Sequence, residues 1–188
     1  NFGVHVAEAE LIKPGDEINE AKILNKVGLP CFVKPTDGGS SFGVSKVKSK
    51  EELNNAVKSA FKHGSEVIVE AHIEGREVTN GVYRDDEGIK VLPITEIISD
   101  NEFFDYEAKY KGKSNELTPA DLDDEISVKI KTLTHHIYNI LGMKGIARID
   151  YIIDNNKTPY VIEINSIPGM SKESIVPQML KHENIAIL

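Results

Sequence analysis

Cysteine is nearly absent from this chain. Cys31 is the single one, so no internal disulfide can form, and a reducing, cytoplasmic compartment is the expectation. Flanked by Pro30 and Phe32, Cys31 reads as a small buried hydrophobe rather than a reactive thiol. No apolar stretch approaches the roughly 20 residues that a membrane helix needs, and no signal peptide is visible. Positive charge is scarce: 22 Lys and Arg against 30 Asp and Glu give a formal net charge of −8. A surface of that sign repels nucleic acid and anionic membranes, so neither is expected as a partner. Repeats and low-complexity segments are missing too. What remains is ordinary: 188 residues, 40% hydrophobic and 28% charged, enough for one large domain or two small ones with a real core. The chain opens on Asn1-Phe2-Gly3 without an initiator methionine and stops inside the apolar phrase Ile185-Ala186-Ile187-Leu188. A fragment of a longer protein is therefore expected.

Pattern along the chain predicts a mixed α+β fold. Residues 2–12 favour strand, and Pro14-Gly15 marks a turn. Asp16 has the chemistry to cap a helix running to Val27. A strand at Phe32-Val33 leads into Gly38-Gly39-Ser40-Ser41-Phe42-Gly43, and 44–47 alternates as a strand. Ser49 and Glu52 have capping-box spacing for a helix to about residue 62. Residues 66–73 read as a covered strand. Residues 77–83 and 89–98 read as a hairpin with a turn of three to five residues. The stretch 100–118, containing Phe103, Phe104, Tyr106 and Tyr110, reads as a long polar loop, a length uncommon unless functional. A helix is predicted from Thr118-Pro119 to about residue 141, a hairpin from 144–153 and 159–165 around Asp154-Asn155-Asn156, and a last helix over 174–182. The expected organisation is a smaller unit over 1–73 and a larger one over 74–188.

Several familiar motifs fail on inspection. Gly112-Lys113-Ser114 resembles the end of a phosphate-binding P-loop, but Glu107 stands where its first glycine belongs. Asp85-Asp86-Glu87-Gly88 resembles part of a calcium loop whose first ligand position is Tyr83. His135 and His136 are adjacent on a predicted helix and point about 100° apart, which is poor for chelating one ion. Asn156-Lys157-Thr158 fits a glycosylation sequon with no sign of secretion.

Four constellations carry chemistry. Lys34 at a strand end, followed by the glycines and serines of 38–43, offers a cation, open N–H groups and hydroxyls to a polyphosphate. A flexible hairpin accounts for that stretch equally well. Alternation places Arg148 with Asp150 on one strand face and Glu163 with Asn165 on one face of the next. If those strands pair, two carboxylates, an amide oxygen and a guanidinium converge, a set suited to Mg²⁺ bound with phosphates. The competing reading is a solvated polar face with an Arg–Asp ion pair, but Ile149, Ile162 and Ile164 alternate against the polar positions. Asn165-Ser166-Ile167-Pro168-Gly169-Met170-Ser171 offers N–H groups for an oxyanion or carboxylate, ahead of a helix N-terminus near Ser174; an ordinary turn is the alternative. Lys109, within Asp105-Tyr106-Glu107-Ala108-Lys109-Tyr110, sits among aromatics on a segment able to close over phosphates, or on a plain mobile loop.

Taken in order, these residues resemble the ATP-grasp superfamily, and within it the D-alanine–D-alanine ligases. The resemblance covers nearly the whole chain through Val33-Lys34-Pro35, Gly39-Ser40-Ser41, Val69-Glu70, the 105–110 phrase, Gly145-Ile146-Ala147-Arg148-Ile149-Asp150, Glu163-Ile164-Asn165 and Pro168-Gly169-Met170. The Tyr-Glu-Ala-Lys-Tyr and Asn-Ser-Ile-Pro-Gly-Met phrases are the ones that single out the D-alanine ligases. It implies an ATP-grasp fold of two α+β subdomains with the nucleotide between their sheets. It implies ATP and two Mg²⁺ ions, for which Mn²⁺ can substitute, and D-alanine as the partner substrate in peptidoglycan synthesis. The full-length protein would form a homodimer mainly through a further N-terminal domain.

Carried over by position, the resemblance assigns Lys34 to the ATP phosphates, with Gly39, Ser40 and Ser41 closing over them. Glu70 would meet the adenine amino group, the backbone of Ala71 and Ile73 the adenine edge, and Glu77 the ribose. Phe103 and Ile162 would line the nucleotide site, and Lys109 would reach the γ-phosphate. Asp150, Glu163 and Asn165 would hold metal. Arg148 and the Gly169 backbone would stabilise the oxyanion, Ser174 would hold the second substrate's carboxylate, and Ser40 with Tyr110 would link phosphate loop to lid. The implied reaction is attack of one D-alanine carboxylate on the γ-phosphate, then of the second D-alanine's amine on the acyl phosphate. Departures exist: the family's earlier phosphate-binding lysine and its N-terminal domain are absent, and Ala71-His72 stand where some relatives have lysine and tryptophan. Tyr110 favours D-alanine over D-lactate as second substrate. Other carboxylate–amine ligases stay open as an alternative, and the isolated piece is expected to act as a nucleotide-binding module without turnover.

Overall fold

A computed structural model describes residues 2–37, 42–99 and 114–186. Among them ten strands and four helices run in the order β1 (His5–Val6), β2 (Ala9–Ile12), α1 (Glu20–Val27), β3 (Cys31–Pro35), β4 (Ser45–Val47), α2 (Lys50–Ala60), β5 (Val67–Ala71), β6 (Gly75–Asp85), β7 (Gly88–Ser99), β8 (Ser114–Leu117), α3 (Asp124–Ile140), β9 (Ala147–Asp154), β10 (Pro159–Asn165) and α4 (Ile175–His182). The chain divides into two compact units. Residues 2–6 belong with the larger one, not with the 1–73 unit expected from sequence, because β1 pairs in parallel with β10.

The smaller unit is a four-stranded sheet in the order β2-β5-β3-β4. Strict alternation on β3 buries Cys31, Val33 and Pro35 and turns Phe32 and Lys34 to the opposite face. Helices α1 and α2 fill the buried face with Ile23, Val27, Leu53 and Val57, each such aliphatic side chain contributing about 1.5–3 kcal/mol on burial. Two capping expectations are corrected here. Helix α1 starts later than Asp16: the Asn19 side chain accepts from Lys22 N, while Asp16 closes a turn by accepting from Lys13 N at 2.8 Å. Ser49 stands at the N-cap of α2 without a side-chain cap bond, and the Glu52 carboxylate instead accepts from Lys48 N at 2.8 Å.

The larger unit is a six-stranded sheet, β1-β10-β9-β6-β7-β8. The β6–β7 hairpin turns on Asp86 and Glu87 alone, since Asp85 pairs with Gly88; the Asp85 carboxylate accepts from Glu87 N and Gly88 N, so the turn is tighter than predicted. Pro93 lacks an N–H to donate, and the β6–β7 register shifts between Asn80 and Val82. The Asn80 amide compensates by donating to Leu92 O and Pro93 O. Helix α3 begins at Asp124 rather than at Thr118-Pro119: Ala120 N is held by Ile94 O, and Asp123 supplies the cap to Ile126 N. Its Ile126, Ile130 and Ile137 pack on Val78, Ile94, Ile149, Tyr151 and Ile153, which takes one face of the sheet out of solvent. Among the described residues no helix is long and apolar enough to cross a membrane.

Candidate active site

On β9 the residues alternate between buried Ala147, Ile149, Tyr151 and Ile153 and half-buried Arg148, Asp150, Ile152 and Asp154. The helix-packed face takes the first set, leaving Arg148 and Asp150 together on the other. A β-bulge then decides what faces them. Val161 pairs with Tyr151, but Glu163 pairs with Asp150 and Asn165 with Arg148, so Ile162 is the extra residue. Without that insertion Glu163 would stand opposite Ile149, on the wrong face. The predicted convergence of these four residues therefore depends on a register shift. The regular Ile149–Ile162–Ile164 alternation expected from sequence does not hold: Ile162 is in the bulge and Ile164 is 37% exposed.

The Asp150 carboxylate is the hub of the cluster. Arg148 donates to it in a two-pronged fork, Nε to Oδ1 at 2.8 Å and Nη2 to Oδ2 at 2.9 Å, a geometry only guanidinium provides. Asn165 Nδ2 donates to Oδ2 at 2.9 Å, and Thr79 Oγ1 on β6 donates to Oδ1 at 2.5 Å. With its nitrogen turned to Asp150, Asn165 keeps its amide oxygen for another partner. Burial works against the Arg148 charge, but the hydrogen bonds and charge of Asp150, then Glu163 and Glu116, raise its pKa above the usual arginine value. Thr79 and Glu116 were not foreseen as part of this environment. The signal for Thr79 was its position two residues from Glu77 on one strand.

After β10 the chain turns through Ser166 to Ser171. Ser174, at the N-cap of α4, shares a hydrogen bond with Ser171, Oγ to Oγ 2.8 Å. A Cβ on Gly169 would stand 2.8 Å from Ser174 Oγ, so a larger residue there requires the serine hydroxyl to turn aside. Gly169 and Ser174, paired in expectation, are thus neighbours. Glu77 lies on β6 two residues from Thr79, half-buried.

In the smaller unit Lys34 and Glu70 meet directly, Nζ to Oε2 at 2.5 Å. Both sit on the sheet face opposite α1 and α2, beside Phe32, whose ring lies 5.6 Å from that of His72 and 5.8 Å from Lys46 Nζ. An aromatic platform next to a cation–carboxylate pair is suited to a flat, phosphorylated ligand. The Ala71 N–H is donated to Glu8 O at 2.8 Å. Ile73 lies just past β5 and is half-buried. Gly39, Ser40, Ser41, Phe103, Lys109 and Tyr110 lie outside the described residues. Among the described residues no three His, Cys, Asp or Glu side chains gather as a metal site; the expected set is two carboxylates and one amide.

The family described as "D-ala D-ala ligase C-terminus" matches residues 1–187. The D-alanine–D-alanine ligase of Flavobacterium johnsoniae is 50% identical over 99% of this chain and 57% of its own length. The crystal structure of the VanG D-Ala:D-Ser ligase from Enterococcus faecalis superposes with a TM-score of 0.81 at 36% identity, over 96% of this chain and 53% of that one. That of the D-alanine–D-alanine ligase from Bacillus anthracis gives 0.80 at 31%, over 97% and 57%. The chain spans a little over half the length of the curated relatives it matches. With Arg148, Asp150, Glu163 and Asn165 gathered on one sheet face and a family match along nearly its full length, this chain belongs to the D-alanine–D-alanine ligase C-terminal family and has the ATP-grasp fold.

Proposed function

We propose that the protein is an ATP- and Mg²⁺-dependent ligase that joins two D-alanines through a D-alanyl phosphate, supplying the dipeptide for peptidoglycan in the cytoplasm. The observation that carries this reading is the bulge-set convergence of Glu163 and Asn165 on Arg148 and Asp150. Hard oxygens from Asp150, Glu163 and Asn165 are the donors Mg²⁺ prefers, and this donor set fits the ion. Bound there, Mg²⁺ would neutralise phosphate charge. The N-terminal portion that the relatives carry would complete the substrate site.

The chemistry asked of this chain's residues is positioning and charge stabilisation. The first D-alanine's carboxylate oxygen bonds to the γ-phosphorus as the bond to ADP breaks. The second D-alanine's amine then bonds to the acyl carbon, phosphate departs with the electron pair, and the amine gives up a proton. Arg148 spends two of its five N–H groups on Asp150 and keeps others for the oxygen that becomes negative in the tetrahedral intermediate. The Gly169 backbone would add a second donor, and Ser174 would hold the incoming carboxylate. Lys34 must exchange Glu70 for phosphate oxygens, which frees Glu70 to accept from the adenine amine. Lys109 with the Ser40–Tyr110 pair would close the site, and Gly39 and Ser41 would cover the phosphates; Glu77, Ile73, Phe103 and Ile162 would frame the nucleoside.

The test is phosphate release by the protein at its full natural length, given MgATP and D-alanine, with the product identified by mass. D-alanyl-D-alanine equal to the phosphate released is expected. The similarity to a D-Ala:D-Ser ligase makes D-serine the second arm: a mixed dipeptide formed in preference would move the second-substrate assignment, and phosphate release independent of D-alanine would reject the function.

A further inference from the structure

We propose that Thr79 is the positioning residue for the metal-binding carboxylate: its buried hydroxyl holds Asp150 in place while Arg148 and Asn165 engage the reactants. The inference rests on the ligase reading above and adds a residue to it. Thr79 stands on β6 directly across from Asp150 on β9 and has no exposed surface. Its Oγ1 is 2.5 Å from Asp150 Oδ1 and 3.4 Å from Ile149 O, so its one proton goes to the carboxylate.

Asp150 receives four hydrogen bonds, two from Arg148 and one each from Asn165 and Thr79. That fills the acceptor sites a carboxylate has, so an ion can bind only where a donor gives way. Arg148 and Asn165 each have other work in the reaction, one at the developing oxyanion and one at the ion, and both are partly open to solvent. The other acceptor of Thr79, Ile149 O, is the more distant at 3.4 Å, and the side chain has no exposed surface. It is flanked by fully buried Val78 and Asn80. It is the donor that stays when the other two move, and it fixes the direction in which the remaining Asp150 lone pairs point. The polar row continues behind it: Thr95, also fully buried, is its cross-strand neighbour on β7 and shares a 2.6 Å hydroxyl contact with Thr118. Valine would fill the volume of Thr79 and suit a strand equally well, so what the threonine contributes is its O–H.

The experiment uses the protein at full natural length with T79V, T79S and T79C, and E163Q as the control for metal binding. Mn²⁺ is titrated in the presence of ATP, without D-alanine, and read by electron paramagnetic resonance, with thermal melts alongside. T79V is expected to weaken Mn²⁺ binding about 10–100-fold, the usual effect of removing a group that orients a metal ligand. T79S, which keeps the hydroxyl, is expected to bind within a few-fold of wild type, and T79C, a weak donor of similar size, to follow T79V. In turnover, T79V should raise the Mg²⁺ concentration for half-maximal rate more than it lowers kcat. Should T79V melt below the assay temperature, the T79S–T79C contrast decides. T79V or T79C binding Mn²⁺ as wild type does, or T79S failing like T79V, overturns the role of Thr79 while E163Q still reports on the ligase reading. Wild type that binds no Mn²⁺ with ATP overturns both.

Discussion

Replacing Arg148 by lysine separates what its charge does from what its shape does. The side chain keeps a cation but loses the planar fork that now spans Asp150 at 2.8 and 2.9 Å. If the guanidinium also meets the tetrahedral oxyanion, R148K removes a donor whose contribution appears only in the transition state. Such a loss costs on the order of 10²–10³ in kcat, or about 2.7–4 kcal/mol of barrier. The folding cost is smaller. Asp150 keeps its bonds from Thr79 and Asn165, and the Arg148 side chain is 20% exposed. The roughly 1.5–3 kcal/mol of a charged hydrogen bond is therefore discounted to about 1–2 kcal/mol for solvent screening. Steady-state phosphate release at saturating D-alanine, with the KM for ATP and a thermal melt, reads all three quantities. The expected pattern is a large fall in kcat, a small change in KM and a modest loss of melting temperature. A near-normal kcat with a raised KM for ATP would refute the reasoning and make Arg148 a ground-state binder of nucleotide.

Other substitutions test the scaffold. The Tyr151 hydroxyl meets Thr134 Oγ1 at 2.7 Å with both side chains fully buried, and burial pushes the tyrosine pKa up. Y151F strands the threonine hydroxyl at a cost of about 1–3 kcal/mol, and adding T134V should recover most of it; equal losses in denaturant melts of the single and double variants would contradict this. Glu10 on β2 is held down to about 2, against an ordinary 4.5, by hydrogen bonds from Lys22 and then Lys26 on α1, with their charges adding. Its depressed pKa means that the contribution is present above about pH 4.5 and is lost as pH falls toward 2. The melting-temperature advantage of wild type over E10Q should therefore be visible at pH 6 and vanish near pH 2; a constant offset across that range would refute the linkage.

The parts of this architecture visible in sequence were those governed by strict periodicity. Alternation on β9 correctly separated Ile149 from Arg148 and Asp150, because a two-residue repeat follows directly from the pleat. Alternation alone could not register β10 against β9. The Ile162 bulge that brings Glu163 to Asp150 has no local marker such as glycine, and a one-residue slip would have inverted the face. Thr79 went unnoticed because a threonine within a strand looks like a β-former until its cross-strand partner is known. The capping errors share a cause: Asp16, Asn19, Thr118 and Asp123 all have capping chemistry, and tertiary contacts such as Ala120 N to Ile94 O choose among them. Lys34 and Glu70 were each identified, but their mutual ion pair required the β3–β5 register.

The most direct test of the central claim is a crystal structure of the protein grown with Mn²⁺ and ADP, with the metal located by its anomalous scattering. Mn²⁺ is expected within about 2.0–2.3 Å of oxygens from Asp150, Glu163 and Asn165, with the ADP phosphates completing the shell. Metal bound elsewhere, or those three side chains remaining turned from it with ADP in place, would contradict that claim.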